Sequence, residues 1–194
     1  MSYCINQIFL AVGTTATAAF GIWIKLQNFG YMPVYGLNNG SIAVLSYNYG
    51  AKQLDRVKKG FSLTMRVGVA ATTLIMVVVL IFTRPLLSMF SASENMYAIG
   101  TSAIRICGLS MPVTALSLVC SAAFQGLGRS RYTLVINVCR QLAILVPVAW
   151  VLSLFGNLTL IWFAFIIAEG ATAAIAMVLC RKLMGGLNAE LGQG

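Results

Sequence analysis

Four charged side chains sit inside otherwise apolar runs: Lys25, Arg105, Arg140 and Glu169. Held in hydrocarbon, such a charge costs about 3 kcal/mol on insertion scales, so each needs a partner, a wet cavity or a route to the interface. Glu169 is the one carboxylate placed this way, which makes it the candidate to take up a proton or a small cation. A charge pair between Arg140 and Glu169 would equally serve to fix the register of two helices, and both readings stay open. Arg105 could pair with Glu169 instead, or face a cavity. Arg66 lies nearer a basic cluster and is expected to snorkel.

The spacing of polar residues extends this set. Lys25, Asn28, Tyr35, Asn39 and Ser46 recur at three, four and seven, which places them on one face of a helix. That face points into a bundle interior or a wet cavity; the alternative is a snorkelling Lys25 with the amides joining helices. Asn137, Arg140 and Gln141 share a second face. The candidate pathway is therefore Lys25, Asn28, Tyr35, Asn39, Arg105, Asn137, Arg140, Gln141 and Glu169. Gln125, at a helix end, reads as a cap. The nine methionines read as core and lipid contacts.

Enzyme chemistry has no support. The chain has no histidine, no Ser/His/Asp set and no phosphate-binding glycine loop after a strand. Its five cysteines lie in apolar stretches without a Cys-x-x-Cys pair and read as buried thiols, so neither cofactor nor zinc is expected.

Composition fixes the class that must position these groups. The chain is 59% hydrophobic and 9% charged, against about 25% charged for a soluble domain. Its mean hydropathy is +0.88. The apolar runs are continuous rather than alternating, so a polytopic all-α membrane bundle is expected rather than a β-barrel. The net charge of +9 is explained by basic loops, and no nucleic-acid partner is expected.

Taken in order, residues 1–12 read as the remnant of a membrane helix whose beginning lies upstream; no cleavable signal is apparent. Residues 13–183 read as a five-helix bundle. A turn at Gly13-Thr14-Thr15 precedes a first helix from Ala16 to Tyr49, with a kink expected near Pro33. Gly50 is expected to end it in the left-handed conformation. The second helix runs from Val57 to Thr83, ended by Arg84-Pro85. Ser91 or Ser93 could cap the third, from Met96 to Gln125 with Pro112 inside. The fourth runs from Tyr132 to Phe155, and the fifth from Leu158 to Cys180, stopped by Arg181-Lys182. Residues 184–194 read as a cytoplasmic tail.

Charge then orients the bundle. Lys52, Arg56, Lys58, Lys59, Arg129, Arg131, Arg181 and Lys182 fall on one side, and Arg84 with Glu94 on the other. The positive-inside rule puts the first set, and the C-terminus, in the cytoplasm. Trp150 and Trp162 flank the Gly156-Asn157 turn and are expected in the outer aromatic belt.

Several motifs resemble one family. Phe20-Gly21-Ile22-Trp23-Ile24-Lys25-Leu26-Gln27, Met32-Pro33-Val34-Tyr35-Gly36-Leu37-Asn38-Asn39-Gly40 and Tyr47-Asn48-Tyr49-Gly50-Ala51-Lys52 look like the C-terminal half of a bacterial MATE (multidrug and toxic compound extrusion) transporter. Arg105-Ile106, Phe124-Gln125-Gly126-Leu127-Gly128, Arg140-Gln141 and Ala168-Glu169 fit in the same order, from about Val12 to Lys182. The resemblance implies the C-terminal lobe of a two-lobed transporter in the bacterial inner membrane. It implies efflux of drug-like cations or amphipathic compounds in exchange for sodium ions or protons, with the missing N-terminal lobe or a second half as partner. The acids that often couple cations on the first helix of a lobe have no counterpart here. Two other readings remain: a flippase for lipid-linked precursors, for which Lys25, Arg105 and Arg140 would supply basic lining, and a non-transporting interaction subunit.

Overall fold

The computed structural model describes residues 2–90 and 94–191, and every element in it is helical. They are α1 (Ser2–Val12), α2 (Thr14–Gly50), α3 (Leu54–Ile81), α4 (Thr83–Ser88), α5 (Glu94–Gly108), α6 (Met111–Gly126), α7 (Ser130–Val138), a π-helical segment (Cys139–Leu145), α8 (Val146–Ser153) and α9 (Leu158–Leu191). The possible caps Ser91 and Ser93 lie outside the described residues.

The bundle is built around α6. Eleven of its sixteen residues are buried, and it packs on α2, α3 and α9. Helix α1 leans on α2 and α8. Two hydrophobic clusters stack along the axis. One holds Phe9, Phe20, Trp23, Ile104, Met111, Trp162 and Phe165. The other holds Leu45, Val57, Phe124, Leu127, Ile136, Leu183 and Leu187. The second cluster gathers the α2–α3 turn, the α6–α7 turn and the C-terminal part of α9, so the basic residues counted above converge on one end.

Both turns at that end close in the same way. After α2, the Gln53 amide bonds the Asn48 carbonyl at 2.9 Å; after α6, the Arg129 amide bonds the Phe124 carbonyl at 2.7 Å. Each is the six-to-one bond of a Schellman closure. In the second, Gly128 takes the left-handed position at φ +72°. In the first, that position falls on Lys52 at φ +56°, two residues past the glycine expected to fill it. The backbone itself closes α6, with Gln125 giving its carbonyl rather than a side-chain cap. Gly126 has a packing reason instead. A Cβ there would stand 3.0 Å from Leu45 Cβ and 3.1 Å from the Ile42 carbonyl oxygen, so glycine lets α6 approach α2.

The expected elements exist, with corrected breaks. Helix α2 passes through Pro33 unbroken. The second helix ends at Ile81, and Arg84-Pro85 falls in the first turn of α4, where a proline loses no hydrogen bond. The third is two helices, α5 and α6, bent by 47°. Pro112 begins α6 rather than interrupting it. The fourth is interrupted by the π segment. The fifth runs through Arg181-Lys182 to Leu191, because charged side chains at a membrane edge do not stop a helix, and 184–191 is therefore helical. Trp162 leaves the expected belt: it is 1% exposed and stacked on Phe9 at 4.5 Å, whereas Trp150 is 58% exposed.

Among the described residues three helices are long and apolar enough to cross a membrane, α3, the α7–α8 unit and α9, and the bent α5–α6 pair makes a fourth if it is counted as one span. Helix α2, at 37 residues, is long enough, but Lys25, Gln27, Asn28, Asn38, Asn39 and Asn48 interrupt its apolar run. Large exposed side chains such as Phe29, Leu63, Leu74, Ile81, Leu134 and Val178 coat the outside, the arrangement expected where lipid is the solvent.

Candidate functional site

The two clusters part in mid-bundle. On α2 the first ends at Tyr31 and the second begins at Leu45; on α6 the limits are Met111 and Cys120; on α9 they are Ala168 and Ala176. Between them lies a cavity of about 220 Å³. Helix α2 lines it with Gln27, Asn28, Tyr31 and Tyr35, α6 with Thr114, the π segment with Arg140 and Gln141, and α9 with Phe165 and Glu169.

At its centre Arg140 Nη1 stands 3.7 Å from Glu169 Oε2. That is an ion pair without a hydrogen bond, since charge-assisted bonds close to about 2.7–2.9 Å. Their side chains are 18% and 10% exposed. Glu169 Oε2 accepts no hydrogen bond from the protein, and the buried Tyr31 hydroxyl makes none either. Buried polar atoms are nearly always paired, so two such atoms on the walls of one cavity leave it suited to a polar guest such as a water or an ion. One turn further along α9, Thr172 Oγ1 is also buried without a partner. Thr114 is committed, donating to the Ser110 carbonyl at 3.0 Å. Tyr31 and Tyr35 meet edge to face, with centroids 6.3 Å apart.

The π segment is what carries Arg140 to this wall. A π turn holds one residue more than an α turn and often falls at functional sites. Here its first residues after Cys139 are Arg140 and Gln141, both on the cavity, and Leu145 at its end is buried in the core and also lines the cavity.

Of the residues selected from sequence, Asn28, Tyr35, Arg140, Gln141 and Glu169 meet in the cavity. Lys25, Asn39, Arg105 and Asn137 do not line it. Lys25 is exposed and lies 5.8 Å from the Phe90 ring centroid, towards the end opposite the basic turns. Asn39 and Arg105 are exposed and Asn137 is half-buried. Arg105 therefore leaves Glu169 to Arg140. Sequence reasoning missed Gln27, Tyr31, Thr114 and Phe165. Gln27, Tyr31 and Tyr35 follow one another at intervals of four, so that stripe was readable beside the one chosen. Thr114 and Phe165 carried no signal in a run of like residues. Among the described residues no three His, Cys, Asp or Glu side chains converge as a metal site.

The cavity can hold a few waters or a small cation; at about 30 Å³ per water it is below the roughly 300–1,000 Å³ of drug-sized sites. A carboxylate oxygen, a phenol and neighbouring amides are hard oxygen donors, suited to a proton or an alkali cation.

Comparison with known proteins bears on the family and the fold. The MatE family model matches residues 1–151. The multidrug export protein MepA of Staphylococcus haemolyticus is 25% identical over 191 residues, covering 96% of this chain and 41% of MepA. Among solved structures, an outward-facing multidrug resistance MATE family transporter of the MOP superfamily superposes with a TM-score of 0.91 at 18% identity, covering 96% of this chain and 43% of that one. An inward-facing structure of such a transporter also gives 0.91 at 18% identity, covering 96% and 44%. The chain thus spans less than half the length of the proteins it matches. With the family model matching most of its length, and with a multi-pass helical fold shared with those transporters, the chain belongs to the MatE family.

Proposed function

We propose that this chain is one lobe of a secondary transporter that exports drug-like cations or amphipathic compounds, and that the Arg140–Glu169 cavity is where the driving ion binds. The observation that carries the reading is the mid-bundle carboxylate with an oxygen that no protein donor bonds, facing an equally unbonded Tyr31 hydroxyl. A sodium ion or proton arriving at Glu169 competes with Arg140 for the same charge. The long 3.7 Å pair is suited to such an exchange, because no hydrogen bond has to break. The substrate, too large for this cavity, would lie against the missing lobe, with the exposed polar residues of α2 (Asn28, Tyr35, Asn39) on the near wall. The basic turns face the cytoplasm on this reading, by the positive-inside rule.

The flippase reading loses support, since Lys25 and Arg105 stand outside the cavity and the charge of Arg140 is matched by Glu169. The test is export of a fluorescent cationic dye from cells producing the chain joined to or together with an N-terminal lobe. Glu169→Gln is expected to bring export close to that of cells without the transporter, while dye still binds the purified variant. Export at the unaltered rate under both sodium and proton gradients would remove Glu169 from the coupling role.

A further inference from the structure

A second concavity, of about 460 Å³, opens between α3 and α9 at the basic end of the bundle. Its floor is apolar, formed by Phe61 and Met65 of α3 and Met177 and Met184 of α9. Its rim is cationic: Lys58 and Arg66 on one side and Arg181 on the other. Among the described residues no acid lines it.

We propose that this groove binds one anionic phospholipid of the leaflet at the basic end, with its phosphate on Arg66 and Arg181 and an acyl chain along the methionines. Arg66 stands eight residues beyond Lys58 on the same helix, or about 12 Å further into the membrane. Among the described residues neither Arg66 nor Arg181 forms an ion pair with a carboxylate. Arg66 is exposed, so its guanidinium can snorkel towards the headgroup level, and there a lipid phosphate is the anion the surroundings supply. Arginine also suits phosphate by geometry, because its planar fork binds two oxygens at once. The floor fits the other half of the ligand: methionine side chains are flexible and polarisable, and mould to an acyl chain of no fixed shape. The groove opens on α3, whose membrane-spanning stretch is only 22% buried, so lipid has access to it. The proposal rests on the multi-pass membrane fold and not on ion coupling at Glu169, so loss of one leaves the other standing.

The experiment is native mass spectrometry of the purified 194-residue chain after exchange into detergent micelles doped with equal amounts of dioleoylphosphatidylglycerol and dioleoylphosphatidylcholine. A single retained phosphatidylglycerol is expected, favoured over phosphatidylcholine by about thirtyfold, the ratio for two arginines at about 1 kcal/mol each. Arg66→Gln/Arg181→Gln should abolish the preference, and Arg66→Lys/Arg181→Lys should keep part of it. Arg131→Gln, at the same end but off the groove, should leave it intact. Met65→Trp, which fills the floor and keeps every charge, should expel the lipid; it decides the matter where the double glutamine variant does not fold. Equal retention of both lipids, a preference untouched by the groove variants, or a lipid-free homodimer would each overturn the proposal.

Discussion

Glu169 and Arg140 form a largely enclosed ion pair at mid-bundle. Removing one partner of a buried pair leaves the other's charge uncompensated, at a cost of about 3–5 kcal/mol. With side chains 18% and 10% exposed and a 3.7 Å separation, the lower end of that range applies. Arg140→Met and Glu169→Met should each lower the unfolding midpoint of the purified chain, whereas the double variant should be less destabilised than the sum of the two. Strict additivity in that double-mutant cycle would mean that the two charges do not interact. At this scale the sequence was informative about charge and poor about hydroxyls. A carboxylate in an apolar run announces itself. Tyr31, which turns out to face it across the cavity, reads like any other aromatic in a helix until the fold shows that its oxygen is buried without a partner.

Among the elements, the π segment has the clearest mechanical role. Because it holds one residue too many for an α turn, deleting Ala143 should restore an ordinary helix in which α7 and α8 keep their faces, with Ile136 and Ala149 still in the core. The side chains between would turn by tens of degrees, drawing Arg140 and Gln141 off the cavity wall. The expected result is a variant that stays monodisperse and helical by circular dichroism, yet loses the Arg140–Glu169 coupling in the double-mutant cycle. A preserved coupling would show that Arg140 does not depend on the wide turn. This element could not be read in advance, since Cys139–Leu145 has no composition that separates π from α. The break between α5 and α6 was hidden for a related reason: the proline suggested a kink, while the helix ends earlier, at Gly108. Hydrophobic runs, by contrast, gave four of the five expected spans directly, because length and apolarity are the same quantities the bilayer selects on.

For the whole molecule, the same fold matches outward-facing and inward-facing transporters with equal TM-scores of 0.91, so the internal shape of this lobe does not distinguish those two states. The chain packs its described interior from Ile5 to Leu187 in two clusters, with the polar cavity between them at mid-height. That interior also sorts the three tryptophans. Trp23 and Trp162 are each 1% exposed, enclosed with Phe9, Phe20 and Phe165, and Trp150 is 58% exposed on the outside of α8. The chain therefore carries its own depth gauge. In bilayers whose acyl chains bear bromine, the emission of Trp150 should be quenched and that of the other two should persist. Trp150→Phe should remove most of the quenching. Bromine moved step by step from the headgroup end towards the methyl end then reads off how far α8 sits from the bilayer centre, without any added label.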